Sequence, residues 1–428
     1  MTIQEIHHLY LKSDGIGTDT RTLKKNTLFF SLSGKNFNGN QYAQKAIALG
    51  ASYVIVDDKN FYPDNHKKYI LVDNTLATLQ DLATYHRNYL GIPIIALTGS
   101  NGKTTTKELI LSVLSESFNI TATQGNLNNH IGVPLTLLEM NQNTEIGVVE
   151  MGANHQKEIE FLCKIAQPDY GYITNIGKAH LEGFGGIEGV LKGKTELYQY
   201  LRNHDKMVFL NQKDVKLVTA AKGMHTYRFS EDTDADLQIE NITQSDYISV
   251  KCNEVVVQSN LIGMYNFSNI SCAIAIGNYF NIAMETIKKG IENYTPGNNR
   301  SQILHKPTYT ILLDAYNANP SSMQVALDNF KQMNFNVKIV ALGDMFELGK
   351  DTEKEHIAIA QYAINKKFER IILIGKHFSK VNLQHHHLHI FKTKEEAVPL
   401  LQQYVKNTDA LLLKGSRGMK LEELLEQI

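Results

Sequence analysis

Residues Ile92–Ser117 read IPIIALTGSNGKTTTKELILSVLSES. The opening run IPIIAL is apolar, short and bounded by turn residues, which predicts a buried strand. Gly99 and Gly102 then bracket a turn, and KTTTKELILSVL has the spacing of a helix. Strand, glycine turn and helix in that order predict a phosphate loop. Glycines let the backbone curl so that its N–H groups point inward, and the helix N-terminus adds positive potential. Lys103 would reach the β and γ phosphates of a nucleotide, and the Thr104 hydroxyl would ligate Mg²⁺. The full-length form of this loop needs glycine at position 97, where Leu97 stands. The loop is therefore a shortened variant, Gly99-Ser100-Asn101-Gly102-Lys103-Thr104-Thr105. The bland alternative is an ordinary glycine turn before a helix, which the three-part context disfavours.

Working outward, the segment before Gly91 predicts a small α/β unit. NTLFFSL (Asn26–Leu32) and SYVIVDD (Ser52–Asp58) read as strands. QYAQKAIALG and NTLATLQDLATYHRNYLG read as helices that stop at Gly50 and Gly91. Beyond the loop, strands and helices alternate through about Gly193, which predicts a mainly parallel sheet covered by helices. From about Met207 to Gly263 the pattern changes. YISVKCNEVVVQSNLIG has two-residue alternation, which predicts a small β meander. Thr295–Asn299, TPGNN, is a turn-rich linker candidate. Three strand–loop–helix units follow it: TILLDAYNANPSSMQVALDNF, NVKIVALGDMFELGKDTEKEHIAIAQYA and DALLLKGSRGMKLEELLEQI. The expected domains are 1–90, 91–297 and 298–428, the last an open-sheet α/β unit.

Composition narrows the function. The 428 residues carry 43 Lys+Arg against 44 Asp+Glu, a formal net charge of -1. Such a chain lacks the broad positive field that binds a phosphate backbone, so no nucleic-acid partner is expected. Cys163, Cys252 and Cys272 lie far apart, which supports neither a disulfide framework nor a cysteine zinc site. The first residues have no basic head and apolar core, so no signal peptide is expected. No stretch reaches the ~20 apolar residues of a membrane span. The expected location is the cytoplasm.

A nucleotide phosphate chain calls for a metal, and later strand ends can supply oxygen ligands. Glu150 follows the strand EIGVV, and a carboxylate there can bind Mg²⁺ directly or through water. The next strand ends near Asn175 and leads to a loop with His180. Taken singly, each is as readily a solvated side chain. They gain weight together, because successive parallel strands deliver their C-terminal loops to one edge.

At this point the chain resembles the Mur ligase superfamily of ATP-dependent amide-forming enzymes. The resemblance rests on TGSNGKTT, on Glu150 in VVEMGAN, on His180 in TNIGKAHLEGFG and on Lys194 in LKGKTELY. In relatives the matching lysine is carbamylated, which would turn a cation repelled by Mg²⁺ into an anionic oxygen ligand. Alone, Lys194 reads as an exposed helix lysine.

Within the superfamily the chain is most similar to the UDP-N-acetylmuramoyl-tripeptide–D-alanyl-D-alanine ligases, over its whole length. The matching stretches are Thr18–Ala51, GNLNNHIGVPLTLL (Gly125–Leu138), LDAYNANPSSM (Leu313–Met323), ALGDMFELG (Ala341–Gly349) and KGSRGMKLE (Lys414–Glu422). Two departures stand out. Ala315 follows Asp314 where many relatives have a second acid, and the linker reads PGNNRSQ where many have a PGR-type sequence.

The resemblance implies a three-domain α/β architecture. A central phosphate-loop ATPase domain with a parallel sheet and a small β meander is followed by a C-terminal Rossmann-like domain. It also implies ATP, two Mg²⁺ ions, and the substrates UDP-N-acetylmuramoyl-tripeptide and D-Ala-D-Ala, joined through an acyl phosphate by a monomer. Lys103, Glu150, His180 and Lys194 would be catalytic, with Thr104, Glu150, His180 and Lys194 holding metal. The phosphate loop, Asn266, Asn269, Arg300 and Asp314 would bind ATP. Thr20 and Arg21 would hold the UDP diphosphate, Asn126, Asn128 and Asn129 would line the muramoyl-peptide passage, and Asn317 and Asn319 would meet the dipeptide. The C-terminal domain is expected to close on the central one and expel water.

The His-rich run QHHHLH (Gln384–His389) is expected to be a solvated loop rather than a metal site. Rival readings are another ligase of the superfamily, a phosphate-loop ATPase that moves a partner, and a non-catalytic UDP-binding regulator. The YNANP and GNLNN strings argue against the first, and the full catalytic set against the last.

Overall fold

The computed structural model describes residues 1–63, 67–297 and 299–428. Asn298, inside the expected linker, lies outside the described residues. The chain builds three groups of sheet in sequence order.

The N-terminal sheet has four parallel strands in the order Ile16–Gly17, Leu28–Phe30, Tyr53–Val56, Tyr69–Leu71. The outer two have two and three residues, too short for any periodicity to register. Helix Thr75–Leu90 runs as expected: the Asn74 side chain accepts from the Ala77 N–H, and Gly91 closes it at φ 63°.

The central sheet has seven parallel strands in the order Leu237–Gln238, His225–Ser230, Met207–Asn211, Tyr170–Ile173, Ile94–Thr98, Ile146–Glu150, Ile120–Ala122. The change of pattern expected from about Met207 therefore comes later. Met207–Asn211 and His225–Ser230 extend the parallel sheet, and Val208–Leu210 are buried without alternation. The antiparallel sheet is confined to Glu240–Asn241, Tyr247–Cys252 and Val255–Ile262. Tyr247–Cys252 alternates half-buried and buried residues, the period that the sequence shows. Asn253 and Glu254 join its last two strands with φ of 46° and 62°, the positive pair a tight hairpin requires.

The C-terminal sheet has six strands in the order Gln302–His305, Thr310–Asp314, Ala410–Lys414, Lys338–Gly343, Arg370–Ile374, Leu388–Phe391, with only the first pair antiparallel. Two of the three expected units form as read, with helices Pro320–Gln332 and Thr352–Asn365. The third ends in 3₁₀ turns, Arg417–Met419 and Leu421–Glu426, rather than an α-helix. Lys420 at φ 50° breaks the chain, and buried Leu421 and Leu424, three apart, suit a three-residue turn. Part of the His-rich run also departs from a loop, since Leu388–Phe391 is an edge strand. There His389 bonds the Tyr404 hydroxyl at 3.1 Å, and Arg370 donates to Nδ1 of His387 at 2.7 Å. Among the described residues no helix is long and apolar enough to cross a membrane.

Helices Ile3–Tyr10 and Thr75–Leu90 fasten the N-terminal sheet to the central one. The Tyr10 hydroxyl donates to the Leu138 carbonyl at 2.6 Å, and Arg87 donates to Asp169 at 2.7 Å. Between them two buried imidazoles meet, His7 Nε2 and His86 Nδ1 at 3.0 Å. Burial, with the His86 and His8 imidazoles adding to it, pushes His7 down to about 4. Burial also lowers His86, against the Met140 carbonyl. Between that value and the ordinary histidine range the unfolded chain binds protons that the folded chain refuses. Stability is therefore full above that window and falls as pH drops through it. The melting temperature is expected to be lower at about pH 5 than at about pH 7.5, with a smaller drop in His7→Gln. An equal drop in both proteins would locate the proton uptake elsewhere.

Candidate active site

Adjacent parallel strands explain why distant residues meet. Ile94–Thr98 pairs with Ile146–Glu150 on one side and Tyr170–Ile173 on the other, with Leu97 opposite Glu150 and Thr98 opposite Ile173. The loops after all three open at one edge. There a cleft of about 1110 Å³ is lined from every part of the chain, from Gln80 through the loop Ser100–Thr105 to Asp314 and Lys414.

The phosphate loop leans on the exit of its neighbouring strand. The Ser100 N–H donates to the Asn175 carbonyl at 3.0 Å, the Asn101 N–H to Asn175 Oδ1 at 3.1 Å, and Thr174 Oγ1 to the Asn101 carbonyl at 2.6 Å. Gly99 sits at φ 143°, and a Cβ there would lie 2.0 Å from Thr174 Oγ1. Only glycine fits both the conformation and the approach. Lys103 donates to the Gly99 carbonyl at 2.8 Å. Burial lowers its ammonium from the ordinary value, while the Glu150 carboxylate opposes that shift and Arg300 adds to it. Thr104 and Thr105 line the cleft beside it.

Glu150 is buried. Asn128 donates to its Oε1 at 2.7 Å, while among the described residues Oε2 has no hydrogen-bond partner. A buried carboxylate oxygen with an open lone pair, in a cleft that Thr104 also lines, suits a hard divalent cation. His180 lines the same cleft at φ 52°, and its Nδ1 meets the Glu347 carboxylate. Lys194 is 1% exposed. Its Nζ donates to the Ala153 carbonyl at 3.1 Å and lies 5.1 Å from the Phe184 ring centre. Burial first, and the Lys103 charge second, hold its ammonium well below the ordinary value. An exposed helix lysine is thus the wrong description of this residue. Among the described residues, no group of three or more His, Cys, Asp and Glu side chains could hold a metal.

The other expected residues divide. Asn266 and Asn269 line the cleft but are buried and bonded. Asn266 donates to the Ile262 carbonyl at 2.8 Å, Asn269 donates to Asn266 at 2.8 Å, and Thr106 donates to Asn269 at 3.0 Å. They tie helix Tyr265–Tyr279 to helix Lys103–Leu114. Arg300 stacks 3.8 Å over the Tyr316 ring, with its Nε buried and, among the described residues, without a hydrogen-bond partner. Asp314 pairs with Lys414 at 2.6 Å. Asn317 and Asn126 also line the cleft. Asn129 lines it too, and accepts from the Ile131 and Gly132 N–H groups, at 3.0 and 2.9 Å, at the start of a helix. Asn319 caps helix Pro320–Gln332 and also donates to Asn101 Oδ1 at 2.8 Å, joining the C-terminal domain to the phosphate loop.

Thr20 and Arg21 are not brought to this cleft. Arg21 is exposed and forks onto Asp19 at 2.6 Å, while Thr18, Asp19 and Thr22 line a second cleft of about 820 Å³ against Leu138–Asn143. Lys414, Tyr316 and Gln80 line the main cleft without having been singled out from sequence. Lys414 had a usable signal, because it ends a parallel strand just as Glu150 does.

Three family models match the chain: "Mur ligase family, catalytic domain" over residues 12–87, "Mur ligase middle domain" over 97–277, and "Mur ligase, glutamate ligase domain" over 299–417. The chain is 34% identical to the UDP-N-acetylmuramoyl-tripeptide–D-alanyl-D-alanine ligase of Bacillus subtilis, across 97% of this chain and 93% of that one. It is 30% identical to the enzyme of the same name from Escherichia coli, across 97% and 93%. Among solved structures, MurF from Acinetobacter baumannii superposes with a TM-score of 0.88 at 30% identity, covering 99% of this chain and 98% of that chain. The fold alone is shared with the MurF ligase of Thermotoga maritima in complex with ADP, at a TM-score of 0.85, 24% identity and 98% and 97% coverage. With family models along most of its length and full-length relatives at this identity, the chain belongs to the Mur ligase family, in its MurF-type branch.

Proposed function

We propose that this protein uses ATP to join the terminal carboxylate of UDP-N-acetylmuramoyl-tripeptide to the amine of D-Ala-D-Ala, as a cytoplasmic monomer. The observation that carries this reading is the meeting of phosphate loop, Glu150, His180 and the Asn317 loop around one cleft, with Lys194 buried behind it against the carbonyl of Ala153, which lines it. Proposed domain bounds are 1–90, 91–297 and 298–428, in keeping with three groups of sheet that share no strand.

A carboxylate is a poor acyl donor because its leaving group would be oxide. In the first step a carboxylate oxygen bonds to the γ-phosphorus of ATP and the bond to ADP breaks. In the second the dipeptide nitrogen, as the free amine, bonds to the acyl carbon, phosphate leaves with the C–O electron pair, and the nitrogen loses one proton and keeps the other as the amide N–H. Catalysis of this kind is mostly positioning and charge neutralisation. The loop N–H groups and Lys103 cradle the phosphates. Arg300, with its unpartnered Nε, and Asp314 meet ATP from the C-terminal side, and Asn266 and Asn269 shape the adenine end. Asn126, Asn128 and Asn129 guide the muramoyl peptide, Thr20 and Arg21 its UDP end, and Asn317 and Asn319 the dipeptide.

Two Mg²⁺ ions, held by Thr104, Glu150, His180 and a carbamate on Lys194, supply charge neutralisation between triphosphate and carboxylate. The carbamate forms when Nζ bonds to the carbon of CO₂ and releases one proton. Its support is geometric: Lys194 is buried beside the cleft and, among the described residues, forms no ion pair.

The test is phosphate release with Mg-ATP, each substrate omitted in turn, and mass detection of product. Release only when both substrates are present, with the pentapeptide mass, is expected. Release indifferent to both would refute the ligase reading.

A further inference from the structure

The segment carrying His180 is held from the C-terminal domain. The Lys178 N–H donates to Ser321 Oγ at 2.9 Å, and Lys178 Nζ pairs with Glu355 at 2.7 Å. Glu347 lies against Nδ1 of His180 as an ion pair, and among the described residues that buried nitrogen has no aligned hydrogen-bond partner. Gly349 lies so close that a Cβ there would meet the Glu182 side chain at 2.9 Å.

The loop that delivers Glu347 is stiff. Asp344 accepts the His377 and Phe378 N–H groups, both at 2.9 Å. The Met345 N–H donates to buried His356 Nε2 at 3.1 Å, and the Phe346 N–H to Ser416 Oγ at 3.1 Å. Both members of the contact sit in left-handed backbone, His180 at φ 52° and Glu347 at φ 61°. Two non-glycine residues held there at one point of contact mark a geometry that the surrounding structure imposes.

An imidazole that ligates a metal through one nitrogen commonly donates its other N–H to a carboxylate, which fixes the tautomer and ring orientation. We propose that Glu347 is a positioning residue for His180: its carboxylate holds the Nδ1 proton and leaves the Nε2 lone pair free for a divalent cation. This inference rests on the reading of His180 as a metal ligand.

The probe is Mn²⁺, titrated by electron paramagnetic resonance into full-length protein with a non-hydrolysable ATP analogue. Four proteins are compared: wild type, His180→Ala, Glu347→Ala and Lys178→Met. Glu347→Ala is expected to weaken Mn²⁺ about 10–100-fold. It should also raise the Mg²⁺ concentration for half-maximal ligation while restoring most of kcat at saturating Mg²⁺. Lys178→Met loses a docking ion pair and leaves the imidazole contact in place, so its Mn²⁺ affinity should stay near wild type. Thermal melting checks that each variant folds. If His180→Ala weakens Mn²⁺ and Glu347→Ala does not, the inference falls and the ligand reading survives. If Glu347→Ala and Lys178→Met weaken Mn²⁺ equally, Glu347 only docks the domain and the inference again falls. If His180→Ala leaves Mn²⁺ affinity unchanged, the ligand reading fails and takes the inference with it.

Discussion

Lys103→Ala is expected to abolish ligation while leaving the protein folded. Among the described residues the ammonium hydrogen-bonds only carbonyls of its own loop, Gly99 at 2.8 Å and Ser100 at 3.4 Å, so its removal takes no packing from either face of the sheet. A change of about 1 kcal/mol or less in stability follows. The rate should suffer far more. Removing one preorganised charge aimed at a developing transition-state charge costs about 10²–10³-fold, and a lysine contacting the transferred phosphoryl group belongs at the upper end. A 10³-fold loss corresponds to about 4 kcal/mol of transition-state stabilisation. Phosphate release and a melting curve on the same preparation check both halves. Turnover near wild type would remove Lys103 from the mechanism, and a collapsed melting curve would make it structural.

Lys194→Met should separate activity from stability in the opposite sense. The side chain is 1% exposed, with one carbonyl acceptor and an aromatic ring for company. Burying an ammonium so sparsely partnered is costly, and an apolar side chain of similar volume often stabilises such a position. The melting temperature is expected to hold or rise. Ligation is expected to fall at least about 10²-fold, because methionine cannot carry the carbamate that completes the metal ligands. Protein equilibrated with ¹³C-bicarbonate should show a carbamate carbon resonance that Lys194→Met lacks. Wild-type activity in the variant would sink the carbamate, and a large fall in melting temperature would show that the lysine props the fold.

What could be read beforehand follows from the range of the interactions. The phosphate loop is local: glycines, a preceding apolar run and a following helix lie within a few residues, and Gly99 is required by contacts those neighbours set. The hairpin at Asn253-Glu254 was legible through alternation for the same reason. Met207–Asn211 went unread as a strand of the parallel sheet because a strand buried on both faces carries no period. The strands Ile16–Gly17 and Tyr69–Leu71 are too short to carry one. The helix expected after Ala410–Lys414 failed because Lys420 turns left-handed and the leucines that follow bury at a three-residue spacing.

Site residues follow the same division. Glu150 and His180 were reachable from topology, since they follow strands on either side of the phosphate-loop strand. Lys194 was reachable only through family resemblance; its burial beneath Phe184 has no local signature. Lys414 and Tyr316 escaped notice because their partners, Asp314 for the first and Arg300 for the second, depend on how C-terminal strands and the linker region pack.

The sequence by itself determined the phosphate loop, the alternation of strand and helix, and membership of the family, because each is written in short-range pattern or in matched strings. Tertiary structure alone decided that Glu150 keeps a bare buried oxygen, that Lys194 loses its solvent, and that Glu347 meets His180. Those properties arise where separate sheets are pressed together. Desolvation and contact there depend on which surfaces dock, and that is a property of the whole fold rather than of any window along the chain.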